Sequence, residues 1–447
     1  MRQQKPQTPK DLIKKLDEKN ISYIRLQFTD ILGRLKSISI SRREIDKILK
    51  HGQTMDGSSI EGFARIEESD LIIRPDIQTF KVFPWPVNGD HIAAIYCDIE
   101  KPDGTPFKAD PRYILKNAIS KLKKEGLVAK TGPEIEYFYF RDQNSTETLD
   151  KHGYFDASSV DQGTRARKKA VSALEKMGVK IESLHHEVGH SQHEIDLHYH
   201  KTLKMADHVM TSRFIIKETA MQEEIYATFM PKPIPDQNGS GMHVHFSIFK
   251  KDGDKNRNAF YDEKSENHLS KMALHAISGL MRHVKPMCLI TNQWINSYKR
   301  LVPGFEAPAY ISYGTRNRTS LIRIPDFKNP ESARIELRNP DPACNPYLVF
   351  AVMITAVLDG IKNPEKLHKP IEEDIFKMTH ERREKLGIDS LPADLHEAIH
   401  HFENDPLMEE ALGEHAFKSL IANKRIEWDN FRRAVTDYEM NNYLPEL

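Results

Sequence analysis

Cysteine is scarce in this chain of 447 residues: Cys97, Cys288 and Cys344, far apart and odd in number. That excludes a disulfide framework and a cysteine-ligated zinc scaffold, and fits free thiols in a reducing cytoplasm. Net charge is missing too. Lys plus Arg is 65 and Asp plus Glu is 65. No global field gathers nucleic acid or an anionic membrane, so neither partner is expected. The longest apolar run, Tyr347 to Leu358, spans 12 residues, and a membrane helix needs about 20. The opening MRQQKPQTPK holds no apolar stretch, so no signal peptide is expected. Neither G-x-x-x-x-G-K-[ST] nor a post-strand G-x-G-x-x-G is present, which leaves P-loop and Rossmann sites unsupported. No repeat stands out. What remains is 39% apolar, enough for a large globular core, with 21 histidines, several beside carboxylates.

Thr8-Pro9 predicts a capped short helix carrying Leu12, Ile13 and Leu16 on one face. Residues 21–28 and 33–40 alternate as strands around a turn at Thr29-Asp30. A helix follows and stops near Gly52, then 91–98 reads as a strand. Pro102-Asp103-Gly104 is a turn, and Asp110-Pro111 opens a helix running to Gly126. A domain boundary is expected near residue 105. Beyond it, strands and helices alternate without a βαβ rhythm, which predicts an α+β fold with an antiparallel sheet.

Side chains alternate between the faces of a strand. In PEIEYFYF (133–140), Glu134 and Glu136 share a face, opposite Ile135, Tyr137 and Tyr139. Taken alone, this is an exposed strand with solvated glutamates. Glu187 and Glu194 then lie across a glycine-containing break. In NGSGMHVHFS (238–247), His243, His245 and Ser247 share a face, and in ARIELR (333–338) so do Arg334, Glu336 and Arg338. Charge on one side and apolar residues on the other describe a sheet whose open face is a polar cleft. Five glutamates and one histidine favour Mg²⁺ or Mn²⁺ over Zn²⁺, and suffice for two ions that clamp phosphate. The stretch 299–338 is net +4. It reads as a basic surface stripe or as forks for phosphate and carboxylate oxygens. His186 to His190 spells H-E-x-x-H, but that zinc-protease motif works on a helix, and strand and turn are expected here.

These residues resemble the glutamine synthetase family. The resemblance runs from RLQFTDILGRLK (25–36) to IEWDNFRRAV (426–435). Its most specific blocks are MDGSSIEGFARIEESD (55–70), GPEIEYF (132–138), HHEVGHSQHEI (185–195), KPIPDQNGSGMHVHFS (232–247), NSYKRLVPGFEAP (296–308), NRTSLIRIP (317–325) and ARIELRNPDPACNPYL (333–348). It implies an N-terminal β-grasp domain (1–105). A catalytic domain (106–447) follows, with a curved antiparallel sheet flanked by helices. It also implies a cytoplasmic ligase of nitrogen metabolism that makes glutamine from L-glutamate, ammonium and ATP through γ-glutamyl phosphate. The assembly implied is a homododecamer of two hexameric rings, with a nitrogen-signalling protein as a further partner.

By the same resemblance, Glu136, Glu187 and Glu194 hold the first metal, and Glu134, His243 and Glu336 the second. Arg318, Arg323, Arg334 and Arg338 grip phosphates. Tyr199, His245 and Ser247 contact the nucleotide, with Tyr199 stacked on adenine. Asn238, Gly239, Arg300, Glu306 and Arg338 line the glutamate pocket, and Glu306 rides the closing flap. Asp56, lent by the adjacent subunit, takes a proton from ammonium. Arg65 serves feedback inhibition by glutamine in the alpha branch. Phe376 stands where the adenylylated branch has a tyrosine, so adenylylation is not expected. His190 departs from the family's usual small residue or proline. Two alternatives are a ligase for a larger amine and a non-catalytic relative. The complete DGSS block weighs against the first and the full ligand set against the second.

Overall fold

The structure, a computed structural model, describes residues 5–62, 69–157, 161–252, 255–265 and 267–447. Arg65 lies outside the described residues. Helix α1 (Pro9–Glu18) begins at a Thr8–Asp11 capping box and buries Leu12 and Leu16. Strands β1 (Ile21–Thr29) and β2 (Leu35–Ser41) form a hairpin, closed by a turn over Asp30 to Arg34. Helix α2 (Ile45–His51) ends at Gly52, whose φ of 76° lets the chain reverse. Then come β3 (Gln53–Asp56), β4 (Asp70–Pro75), β5 (Lys81–Val82) and β6 (His91–Glu100). The sheet order is β2-β1-β6-β4-β3, with β5 against β6, and β1 runs parallel to β6.

Asp110 caps α3 (Pro111–Lys124), which leads into β7 (Leu127–Phe140), the long spine of the second sheet. Helix α4 (Gln162–Lys176) precedes the hairpin β8 (Ile181–His186) and β9 (Gln192–Leu197). Short β10 (His200–Lys201), helix α5 (Thr202–Gln222), β11 (Tyr226–Thr228), β12 (Val244–Asp252) and β13 (Lys255–Asn258) follow. Helices α6 (Lys271–Thr291) and α7 (Ile295–Arg300) lead to β14 (Tyr313–Thr315), β15 (Ile322–Ile324) and β16 (Ile335–Leu337). The main path of this ten-stranded sheet is β14-β15-β16-β12-β7-β9-β8. It is antiparallel as expected, except that β14 and β15 run parallel. The connection between those three-residue strands makes a loop rather than a hairpin, which alternation does not reveal.

The long apolar run becomes helix α8 (Pro346–Lys362), with every residue from Pro346 to Val357 buried. It packs against α6 at glycines: a Cβ on Gly279 would sit 2.1 Å from the Ala356 carbonyl oxygen. No helix among the described residues is long and apolar enough to cross a membrane. The β1–β2 turn docks on this core. Asn345 Nδ2 donates to the carbonyls of Asp30 and Ile31, each at 3.1 Å, and Gln293 Nε2 donates to that of Leu32.

Candidate active site

The central strands bring the predicted charges onto one wall. On β7 and β9, Glu136 stands opposite Glu194 and Glu134 opposite Asp196. On β12 and β16, His245 stands opposite Glu336. The turn before β12 crosses to β7 by two backbone bonds, from Glu134 N to the His243 carbonyl and from Glu136 N to that of Gly241. A cavity of ≈ 940 Å³ opens over this wall. Among its lining residues are Glu134, Glu136, Glu187, Glu194, His243 and Glu336, and also Asn238, Gly239, Arg300, Glu306, Arg318, Arg323 and Arg338. A second cavity, of ≈ 190 Å³, is lined by Tyr199, His245, Ser247 and Arg334. Glu134 and Asp196 border both.

His243 Nδ1 and His245 Nε2 lie 3.1 and 2.6 Å from the Glu134 carboxylate. Burial works against ionisation of Glu134, but the two imidazoles outweigh it and hold the carboxyl well below its usual range. Glu336, 0% exposed, is forked by Arg323 Nη1 at 2.6 Å and Arg338 Nη1 at 2.5 Å. Burial opposes its charge, yet Arg338 and the histidines keep it down at about 2. On Glu136 and Glu194 burial wins: Arg300 and Arg338 pull Glu136 down, and His185 lies 3.6 Å from Glu194, without offsetting it. Burial, then the charge of Glu187, drives Glu136 up to about 8. Burial, then Glu136, Glu134, Asp196 and Glu187, drives Glu194 well above its usual range.

Arg300 is buried and donates Nη1 to the Asn339 carbonyl at 2.7 Å and Nη2 to that of Arg338 at 3.2 Å. Its side chain also crowds Gly239 and Gly241: a Cβ on Gly239 would lie 2.4 Å from the Pro231 carbonyl, so only glycine fits. Exposed Glu306, at φ 56°, accepts from Asn238 Nδ2 at 3.0 Å. In the smaller cavity, His198 stacks on the Tyr199 ring at 4.8 Å, and the Lys130 ammonium lies 5.0 Å from the same ring's centroid.

Two family models match the chain: "Glutamine synthetase, beta-Grasp domain" over residues 20–102 and "Glutamine synthetase, catalytic domain" over 108–443. A curated glutamine synthetase of Clostridium saccharobutylicum is 46% identical over 441 residues, covering 98% of each chain. One from Methanosarcina mazei is 46% identical over 444 residues, again with 98% of each chain covered. The chain belongs to the glutamine synthetase family. Among solved structures, a GmaS/ADP complex superimposes with a TM-score of 0.88 at 28% identity, covering 97% of this chain and 99% of that one. The Plasmodium falciparum glutamine synthetase gives 0.86 at 27%, covering 99% and 100%. Membership makes the chain a glutamate–ammonia ligase, which forms a C–N bond with ATP and with Mg²⁺ or Mn²⁺.

The donors present fit two such ions. Ligand atoms of Glu134, His243 and Glu336 all lie within 4.8 Å of one another, as do those of His185, Glu187 and Glu194. The second group differs from the expected triad. His185 Nε2 lies 2.9 Å from Glu187 and 3.6 Å from Glu194. Glu136 Oε2 instead accepts from Gly241 N at 2.9 Å and Gln192 Nε2 at 3.2 Å, while remaining opposite Glu194. The upward drive that burial and neighbouring carboxylates put on Glu136 and Glu194 is what a divalent cation beside them would relieve.

Every predicted site residue that is described, except Asp56, borders one of the two cavities. Asp56 ends β3 on the surface and caps a turn, accepting from Ser58 N and Oγ. The zinc-protease spelling falls on the end of β8 and a turn, not a helix. His190 holds that turn to the loop before β12: its backbone N–H donates to Gln237 Oε1 at 2.7 Å. Sequence reasoning missed Asp196 and His185. Asp196 continues the Gln192, Glu194 alternation on β9 and could have been found by that signal. His185, in β8, precedes the recognised Glu187 by two, but Glu187 lies just past the strand's end, so the signal there is weaker.

Proposed function

We propose that the two cavities are one reaction path, with ATP seated across their shared border and its terminal phosphate delivered to L-glutamate. The observation that carries this is the common wall of Glu134 and Asp196 between an aromatic pocket and the carboxylate–arginine cavity. In this reading Glu136, Glu187 and Glu194 hold one cation, and Glu134, His243 and Glu336 the other. Both ions would offset charge on the phosphoryl oxygens. Tyr199, the aromatic wall of the smaller cavity, stacks on adenine, and His245, Ser247 and Arg334 seat the phosphate end. Asn238, Gly239 and Arg300 orient glutamate. Arg318, Arg323 and Arg338 stabilise the transferring group, a term worth about 10²–10³ in rate for a single oxyanion donor elsewhere. The γ-glutamyl phosphate is open to hydrolysis, so the Glu306 flap, held here by Asn238, keeps water out.

Asp56 is the proposed base that deprotonates ammonium, acting on a neighbouring copy's cavity. Its exposed place outside its own cavity supports that reading. It calls for a homo-oligomer, and we infer a dodecamer of two hexameric rings with a domain division near residue 105. A cytoplasmic setting suits the free buried cysteines. Alpha-branch feedback by glutamine at Arg65, without adenylylation at Phe376, and docking of a nitrogen-signalling protein complete the proposal. Arg65→Ala tests the first: if millimolar glutamine inhibits neither the native protein nor the variant, feedback at that residue fails.

The deciding experiment is phosphate release that needs ATP, glutamate and ammonium together, on protein sized by native mass spectrometry. Putrescine replaces ammonium in a parallel arm; preference for it would move the function to a larger amine.

A further inference from the structure

Asp150 sits between β7 and α4 with its side chain 4% exposed. Its Oδ1 accepts from His186 Nε2 at 2.9 Å, from the His152 backbone N–H at 3.0 Å and from that of Ser191 at 3.2 Å. Ser191 replies: its buried hydroxyl accepts from the backbone N–H of Leu149 at 2.6 Å and of Asp150 at 3.2 Å. The far nitrogen of the same imidazole, His186 Nδ1, reaches the Glu187 carbonyl at 2.7 Å. Across the hairpin, His193 pairs with His186, rings 4.8 Å apart, and Arg167 Nη1 lies 2.7 Å from His193 Nδ1.

By spacing, Asp150, His186 and His193 resemble a metal site. The hydrogen bonds argue otherwise. A guanidinium only donates, so His193 Nδ1 is the acceptor and Nε2 carries the ring proton. Both nitrogens of His186 face acceptors and therefore both donate. Neither ring presents a free lone pair. The cluster is a brace.

What it braces is the turn from Glu187 to His193. Ser191 holds φ 58° there, a conformation natural to glycine and costly for serine unless its surroundings fix it. Three bonds between Ser191 and residues 149 and 150 supply that fixing, with Asp150 itself held by His186 and His152. The same segment carries Tyr154 and Phe155, whose rings stand edge-on to His185 at 5.4 and 4.7 Å.

We infer that Asp150 is a positioning residue for the first cation: through His186 and Ser191 it aims Glu187 and Glu194, and the segment it anchors seats Tyr154 and Phe155 against His185. The inference rests on the ligand assignment proposed above. Calorimetric titration of metal-free protein with Mn²⁺ separates the two. Glu187→Gln tests the assignment, and Asp150→Asn tests the brace by replacing a charge-assisted bond with a neutral one of the same shape. Asp150→Asn should keep two Mn²⁺ per chain but weaken one by about 10–100-fold, the usual effect of losing an outer partner. Excess metal should restore kcat, with the KM for ATP changed less than about twofold. Ser191→Gly, which suits the backbone and deletes only the hydroxyl, should weaken the same ion in the same direction.

If Glu187→Gln leaves both Mn²⁺ sites intact, the ligand assignment falls. If Glu187→Gln loses one ion while Asp150→Asn and Ser191→Gly bind both as tightly as the parent, the brace falls alone. A lower melting temperature with unchanged Mn²⁺ affinity, or equal weakening of both ions, also overturns it, since that is a merely structural role.

Discussion

Glu136 and Glu194 face each other on adjacent antiparallel strands, and burial together with neighbouring charge drives both carboxyls upward, Glu136 to about 8. An unfolded glutamate loses its proton near 4.5. Between those values the folded, metal-free chain holds protons that the unfolded chain has released, so its stability falls as pH rises. Metal binding expels the same protons and should tighten across that window. Melting of chelated protein from about pH 6 to pH 8.5 should show the decline, shallower in Glu136→Gln. Added Mn²⁺ should raise the melting temperature most at the alkaline end.

Glu336 is held by two arginines and closes one ligand group. Glu336→Gln should leave the fold near intact yet lower the rate of phosphate release by about 10²–10³ or more, since it weakens the hold on the cation that would offset developing phosphoryl charge. Retained turnover would refute the assignment of Glu336 as a metal ligand.

Asn238 and Glu306 are hydrogen-bonded in the cavity lining, where Glu306 is proposed to ride a closing flap. Glu306→Ala should uncouple the reaction: phosphate released per glutamine formed rises above one, because water reaches the acyl phosphate. A ratio that stays at one while kcat drops would point instead to a role in binding.

Lys81 is buried against Thr211, with its ammonium 2.7 Å from the hydroxyl, and burial lowers its pKa to about 7. The unfolded chain holds this proton up to 10.5, so stability rises with pH between those values. Lys81→Met should therefore stabilise the protein at about pH 6 and do so far less at about pH 9, read as the difference in melting temperature.

Alternation made much of the site legible. Glu134 with Glu136, His245 with Ser247, and Arg334 with Glu336 and Arg338 each share a face because a strand repeats every two residues. Glycine and asparagine marked the loop before β12 in the same local way. Asp150 was not legible: its partners are His186 and Ser191, more than thirty residues on, and its own segment is irregular. The parallel pairing of β14 and β15 was hidden for a related reason, since three-residue strands carry too little pattern to set direction. Asp196 obeys the visible alternation, and only its neighbours' prominence obscured it; the signal at His185 is weaker, because Glu187 lies just past the strand's end.

Glu134 and Asp196 face two chambers from one strand pair. If ATP is seated as proposed, a substitution at either position alters the seat of the nucleotide and the balance of cation charge in the same stroke, so the two traits cannot drift apart by single steps there. Tyr199, Phe249 and Lys130 border the smaller chamber alone. On the proposed seating of ATP, they are where base preference can be retuned without touching the carboxylate–arginine cavity.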